Sequence, residues 1–268
     1  MSTDAHTDGN PNEAMWRELL LHGHRGRWSF LPADPRCMVC HQPFYGLGGR
    51  LLRAMTGYGP SRMSPNICNH CEDMMPTGGA EVDTGVLFAD IRGSTALAAQ
   101  MGTAAYAELI GRFYRASAHV MVEQEQGWID KFVGDELMAL YIPAMGADYR
   151  MRVVNSGAAL LRAAGYTPGE EPWLPLAIGV HAGPAFVGKI GAAGSTAVTA
   201  LGDTVNATAR IQAQAEAGEL LISEDLYASV ESSYPGLERR TLTLRGREGT
   251  VDVRVLRPAE VPTGATKP

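Results

Sequence analysis

The sequence predicts an α+β fold with a βαββαβ core, extended by extra strands and helices and preceded by a small metal-stabilised module. Three observations predict it. From Glu81 onward, apolar stretches of strand length alternate with stretches of helical period. Ahead of that point, all four cysteines of the chain fall into two Cys-x-x-Cys pairs, an arrangement that supplies four thiolates from two tight turns. The 268 residues are 45% hydrophobic and 19% charged, an ordinary balance for a chain that buries a sizeable core.

Composition also excludes some functions. A net charge of −6 argues against a general nucleic-acid binder, although seven Arg against only Glu18 and Asp34 make Trp16–Cys71 locally basic. No run of apolar residues is long enough to span a membrane. The first thirty residues lack a charged start followed by an apolar stretch, so no signal peptide is expected. The expected compartment is the reducing cytoplasm, where cysteines serve as metal ligands more often than as disulfides.

Residues 1–12 are polar and expected to be disordered. A short helix is expected from Ala14 to about His22, and the nearby His22 and His24 stay unassigned. Cys37/Cys40 and Cys68/Cys71 then define a module over residues 13–73, with Zn²⁺ as the expected ion and an iron–sulfur cluster as the alternative. His41 and His70 lie beside the cysteine pairs and are possible substitutes. Phe44, Tyr45, Leu47, Leu51, Leu52 and Met55 suggest a core too small to fold without its metal. Arg50, Arg53 and Arg62 with Tyr45 and Tyr58 suit either nucleic acid or, as favoured here, docking onto the following domain. Residues 74–80, with Pro and paired Gly, are expected to be a linker.

The larger domain is expected over residues 81–257, with a loose tail at 258–268. Val82–Ile91 is its first strand, apolar enough to be covered on both faces. Ala104–Gln126 follows as a helix stopped by Gly127. Trp128–Val133 and Glu136–Ile142 form a hairpin whose tip is Gly134-Asp135. Ala147–Ala164 is the next helix. Leu174–His181 and Ala185–Ile190 are read as a second hairpin around Ala182-Gly183-Pro184. Thr196–Leu201 leads through Gly202-Asp203 to a helix over Thr204–Ala217, and Leu220–Ile222, a short helix and strands near Leu242 and Val253 complete the domain. The order is that of a ferredoxin-like core with additions.

Singly, the polar residues of this domain have ordinary explanations. Asp90 ends an apolar strand and precedes Gly93-Ser94-Thr95, where Ser94 or Thr95 can cap a helix and the local N–H groups can face an anion. Asp135 sits at a hairpin tip, and paired with Asp90 it would hold two Mg²⁺ or Mn²⁺ ions. Asn206 and Arg210 share one helical face. Lys131 and Thr199 are isolated polar residues in apolar strands, either base-reading groups or a snorkelling Lys and a strand-forming Thr.

Together they form a pattern. Phe88-Ala-Asp90-Ile-Arg-Gly-Ser-Thr95, Lys131-Phe-Val-Gly-Asp135-Glu, Gly179-Val-His-Ala-Gly183 and Leu201-Gly-Asp-Thr-Val-Asn206-Ala-Thr-Ala-Arg210-Ile closely resemble, in content and order, the class III nucleotide cyclase catalytic domain over roughly residues 80–258. The resemblance implies the cyclase fold and a homodimer with two active sites at its interface. It implies a metal site at Asp90, Ile91 and Asp135 of one subunit, with Gly93, Ser94 and Thr95 on the substrate phosphates. It implies that Lys131 and Thr199 of the other subunit select the base and that Asn206 and Arg210 act on the transition state. The Lys/Thr pair resembles that of one adenylate cyclase subgroup, so the implied reaction is ATP to cyclic AMP and pyrophosphate. GTP, a pyrimidine nucleotide, or nucleotide sensing without turnover are the alternatives. Arg245 or Arg247 would be placed near the terminal phosphates without a choice between them.

Overall fold

The computed structural model describes residues 10–23, 30–31, 35–61, 66–192, 195–243 and 249–259. Helices α1 (Glu13–His22), α2 (Gly46–Thr56) and α3 (Asn69–Met74) lead into strand β1 (Gly78–Ile91). Helices α4 (Ser94–Met101) and α5 (Thr103–Ala118) follow, then a π-helical turn at His119–Gln124. Strands β2 (Trp128–Val133) and β3 (Glu136–Tyr141) and helix α6 (Tyr149–Ala163) precede β4 (Leu176–Ala192) and β5 (Ser195–Leu201). Helix α7 (Asp203–Gln212), β6 (Leu220–Ser223), α8 (Glu224–Tyr227), β7 (Glu238–Thr243) and β8 (Thr250–Leu256) complete the order.

The eight strands form one sheet in the order β2-β3-β1-β4-β6-β8-β7, with β5 paired to β4. Its first half, β4-β1-β3-β2, has the ferredoxin-like order expected for βαββαβ. Strand alternation divides the sheet between two cores. Leu87, Ala89 and Ile91 of β1, with Leu137, Ala139 and Tyr141 of β3, pack under Phe113, Val153 and Leu161 of the helices. Val82, Val86 and Phe88, with Met138 and Leu140, face the other way and pack against Trp16, Leu20, Cys37, Ile67, Cys68 and Cys71. The cysteine segment is therefore the second cover of the sheet, and its apolar residues share one core with β1.

Four expectations need correcting. The linker is shorter than expected, because Gly78, Gly79 and Ala80 belong to β1 and pair with Lys189, Gly188 and Val187 of β4. Strand β4 runs unbroken through Ala182-Gly183-Pro184, where Thr84 and Asp83 of β1 lie opposite Gly183 and Pro184. Of the apolar residues between the cysteine pairs, Phe44 and Leu52 are buried, but Tyr45, Leu47, Leu51 and Met55 are exposed. They form an outward face of α2 rather than a core or a docked surface. The described part of the N-terminal tail is tied down: Asn10 Nδ2 donates to the Gly79 carbonyl at 2.5 Å and Asn12 Nδ2 to that of Thr77 at 3.0 Å. Residues 1–9, His24, Arg62, Arg245, Arg247 and residues 260–268 lie outside the described residues.

Candidate active site

Asp90 is the last polar step of β1 before Ile91, directly opposite Glu136 of β3, so the Gly134-Asp135 turn lies beside it. Burial pushes the Asp90 carboxyl above its ordinary range, the Asp135 charge pushes it further, and Arg92, whose guanidinium is 4.0 Å away, pulls it back. Two carboxylates held together against their mutual repulsion suit hard divalent cations, which take oxygen ligands. The Ile91 side chain is buried at 1% exposure, so any ligand it supplies is its main-chain carbonyl. Tyr114 of α5 fixes the turn: its hydroxyl donates to the Gly134 carbonyl at 2.6 Å and its ring stacks on Phe132 at 4.0 Å between centroids. Tyr106 faces the same acids, and burial followed by the Asp135 charge raises its hydroxyl pKa, with Ser94 opposing.

Beyond Asp90 the chain turns at Gly93, whose φ of 67° is the left-handed conformation that glycine adopts freely. Gly93 itself is the N-cap of α4, and no side chain caps this helix. The expected capping by Ser94 or Thr95 is therefore absent. The N–H groups of the first turn are left for an outside acceptor, as in an anion site at a helix start.

Lys131 and Thr199, on different strands, meet: Lys131 Nζ donates to Thr199 Oγ1 at 3.1 Å. Asp130 joins them. Thr199 Oγ1 donates to its Oδ2 at 2.9 Å, and Lys131 Nζ lies 3.1 Å from the same oxygen. Ile129 pairs with Ala139 and Lys131 with Met138, leaving Asp130 as the extra residue of a β-bulge. The bulge returns Lys131 to the face of the sheet that Trp128 occupies. Val133 and Leu201, flanking this cluster on β2 and β5, are exposed apolar residues.

Helix α7 carries Asn206 and Arg210. It lies close against β4, where a Cβ on Gly179 would come within 2.5 Å of the Gln212 backbone nitrogen. Arg92 also donates to the Gln212 carbonyl at the end of this helix. Asn206 is exposed and Arg210 half-buried, and neither side chain has a polar partner among the described residues.

The four cysteine sulfurs lie within 4.8 Å of one another, and Cys40 and Cys68 Sγ are 3.8 Å apart. A tetrahedron with Zn–S bonds of about 2.3 Å has edges of about 3.8 Å, so the donor set fits a tetrahedral ion. Backbone N–H groups of Cys68 and Cys71 point at Cys37 Sγ (3.2 Å) and Cys68 Sγ (3.3 Å). Hydrogen bonds among the thiols hold the Cys37 pKa down and push those of Cys68 and Cys71 up, so one thiolate forms at the others' expense, a conflict that a bound cation would resolve. Neither suggested histidine joins the group among the described residues. His70 stacks on Tyr58 at 4.3 Å.

Sequence reasoning missed Tyr106, Arg92 and Asp130. Asp130 had a visible signal, a charge inside the apolar stretch Trp128–Val133; the other two sit at positions common on any helix or turn.

The adenylate and guanylate cyclase catalytic domain family matches residues 80–256. The uncharacterized protein Rv1319c of Mycobacterium tuberculosis is 34% identical over 177 residues, 64% of this chain, and that match spans about a third (32%) of the relative's length. Among solved structures, the guanylyl cyclase Cya2 superposes with a TM-score of 0.60 at 25% identity, covering 70% of this chain and 98% of that one. The adenylyl cyclase CyaB from P. aeruginosa gives 0.56 at 26% identity, covering 66% and 94%.

Proposed function

The chain belongs to the adenylate and guanylate cyclase catalytic domain family, and from that premise we propose that it converts ATP to 3′,5′-cyclic AMP and pyrophosphate as a homodimer. The observation that carries the choice of ATP is the Lys131–Thr199 hydrogen bond, which makes one paired reader of two side chains 68 residues apart. Within the dimer, Asp90, Asp135 and the Ile91 carbonyl of one subunit hold two Mg²⁺ or Mn²⁺ ions, which supply Lewis-acid activation of the ribose hydroxyl and charge neutralisation on the phosphates. Gly93, Ser94 and Thr95 offer N–H groups to phosphate oxygens at the start of α4. Lys131 and Thr199 of the partner hold the base. Asn206 orients the ribose, and Arg210 spreads positive charge over the α-phosphate as the 3′-oxygen attacks in line and pyrophosphate leaves.

Three features support the shared site. Asn206 and Arg210 have no side-chain polar partner among the described residues, the first turn of α4 has no side-chain cap, and Val133 and Leu201 expose apolar surface beside the base-reading pair. The Cys37/Cys40/Cys68/Cys71 group holds a structural Zn²⁺ that fixes the N-terminal cover of the sheet. No helix among the described residues is long and apolar enough to cross a membrane. Incubating the purified protein with Mn²⁺ and ATP, GTP, CTP or UTP in parallel tests the reading. Cyclic AMP as the dominant product is expected; cyclic GMP would refute the base choice, and no cyclic product from any nucleotide would refute the enzyme.

A further inference from the structure

We propose that Asp130 is the positioning residue for base selection: by taking the Thr199 hydroxyl proton it leaves Thr199 able only to accept, so the Lys131–Thr199 pair favours a base with an exocyclic amino group over one with an exocyclic oxygen. This rests on the reading of Lys131 and Thr199 as the base-selecting pair.

The argument is a count of donors and lone pairs. A hydroxyl has one proton and two lone pairs, an ammonium has three protons, and an ionised carboxylate only accepts. The Asp130 side chain is wholly buried while Lys131 is 46% exposed, with 3.1 Å between them. Burial raises the Asp130 pKa, and Lys131 and then Thr199 pull it back toward the ionised form. With the carboxylate charged, the Thr199 proton points at Oδ2. One Thr199 lone pair takes the proton from Lys131. What remains outward is one lone pair on Thr199 and one N–H on Lys131. An acceptor beside a donor complements the amino group and adjacent ring nitrogen of adenine or cytosine. Guanine and uracil present an oxygen and a ring N–H in the opposite sense. A guanine would set two lone pairs against each other and two protons against each other.

The other Asp130 oxygen, Oδ1, is buried without a hydrogen-bond partner among the described residues, a costly arrangement for a group that only fills space. The bulge at Asp130 has a matching purpose, since it places Asp130 and Lys131 in succession where both reach Thr199.

The test is a set of kcat/KM ratios for ATP, GTP, CTP and UTP. They are measured in wild type, Asp130→Ala, Asp130→Asn, Thr199→Val and the Asp130→Ala/Thr199→Val double variant. Each ratio is taken within one preparation, so a reduced active fraction cancels. Where turnover is slow, displacement of a fluorescent nucleotide gives the corresponding ratio of binding affinities, which the base contacts made in the ground state should move in the same direction. In wild type, ATP should outrun GTP, and CTP should outrun UTP. Asp130→Ala frees the Thr199 hydroxyl to rotate and donate, and the ATP:GTP ratio should fall roughly ten- to hundredfold. Asp130→Asn, still able to accept through Oδ1, should fall less. Adding Asp130→Ala to Thr199→Val should leave the ratio unchanged, because the hydroxyl it positions is gone. An ATP preference that survives both Asp130 variants would overturn the positioning role alone. A wild type that prefers GTP would overturn the ATP reading and the acceptor-only Thr199 with it.

Discussion

Asn66 is a buried polar link between the cysteine segment and β2, the strand that carries Lys131, and replacing it with Ala gives a quantitative test. Its side chain is 6% exposed, its Nδ2 donates to the Gly127 carbonyl, and its Oδ1 accepts from the Ile129 N–H at 3.2 Å. Its own carbonyl accepts from Met38 N at 2.9 Å, inside the first cysteine turn. Asn66→Ala leaves a buried N–H and a buried C=O of the β2 entry without partners. Each such group costs about 1–3 kcal/mol, so the expected loss for the two is about 2–6 kcal/mol. Urea unfolding followed by tryptophan fluorescence suits the measurement, because Trp128, between the two orphaned groups, and Trp16 are each 1% exposed. The midpoint should fall with an unchanged slope. Asp130 and Lys131 follow within a few residues, so kcat/KM should fall as well under conditions where the variant is fully folded. A loss below about 0.5 kcal/mol, the ordinary range for a surface substitution, would refute the claim that Asn66 anchors β2.

Three further outcomes are expected. Asp90→Ala and Arg210→Ala should each be inactive, and mixing them should restore about a quarter of wild-type activity, since half the dimers are mixed and each carries one intact site; no recovery with verified subunit exchange would refute the shared site. Purified protein should contain one zinc per chain and be colourless, with Cys40→Ser losing the metal and melting earlier; an iron–sulfur absorption band would refute zinc. Glu219, 4% exposed and paired with Arg240 at 2.8 Å and Arg257 at 2.6 Å, has its pKa lowered from 4.5 to about 2. Its folded pKa lies below the unfolded one, so its stabilisation of about 3 kcal/mol is complete above about pH 4.5 and vanishes as pH falls toward 2. Glu219→Gln should therefore be destabilised near neutrality and converge on wild type in acid; a gap that persists at pH 2 would refute the assignment.

The fold was legible where period and turn chemistry act locally. Val86–Ala89 reads as a doubly covered strand because it is one, and Gly134 reads as a turn because its φ of 61° suits glycine. Asp90 and Asp135 were found for the same reason, since the ends of such strands are marked by where apolarity stops. Gly183-Pro184 misled because turn residues are ambiguous inside a long strand. At that point β4 has β1 as its only ladder partner among the described residues, with β6 pairing at Ile178–Val180 and β5 from Phe186 onward, so one side of the strand is unpaired and a proline, which has no N–H, is tolerated there. Leu47, Leu51 and Met55 read as core because they are apolar, yet they are exposed on α2; apolarity alone does not tell whether anything covers a residue. The bulge that brings Asp130 to Lys131 and Thr199 depends on the register of β2 against β3, a long-range property with no local sequence mark.

The two cores of the sheet explain why a cysteine cluster precedes a catalytic domain. Odd residues of β1 are covered by α5 and α6, which the domain itself supplies. Even residues Val82, Val86 and Phe88, with Met138, Leu140 and Trp128, need a cover from elsewhere, and Trp16, Leu20, Ile67 and the buried cysteines provide it. A segment this short has too little apolar surface to order itself, and an ion held by the four thiolates would give it a fixed shape with only four side chains. Asp90 lies two residues beyond Phe88 on the same β1 face, and Lys131 shares that face on β2. The cover thus braces the strands whose far ends carry both halves of the site. On this packing a metal held by the four cysteines would act on the proposed activity through the rigidity of β1 and β2, with Asn66 as a polar contact between the two.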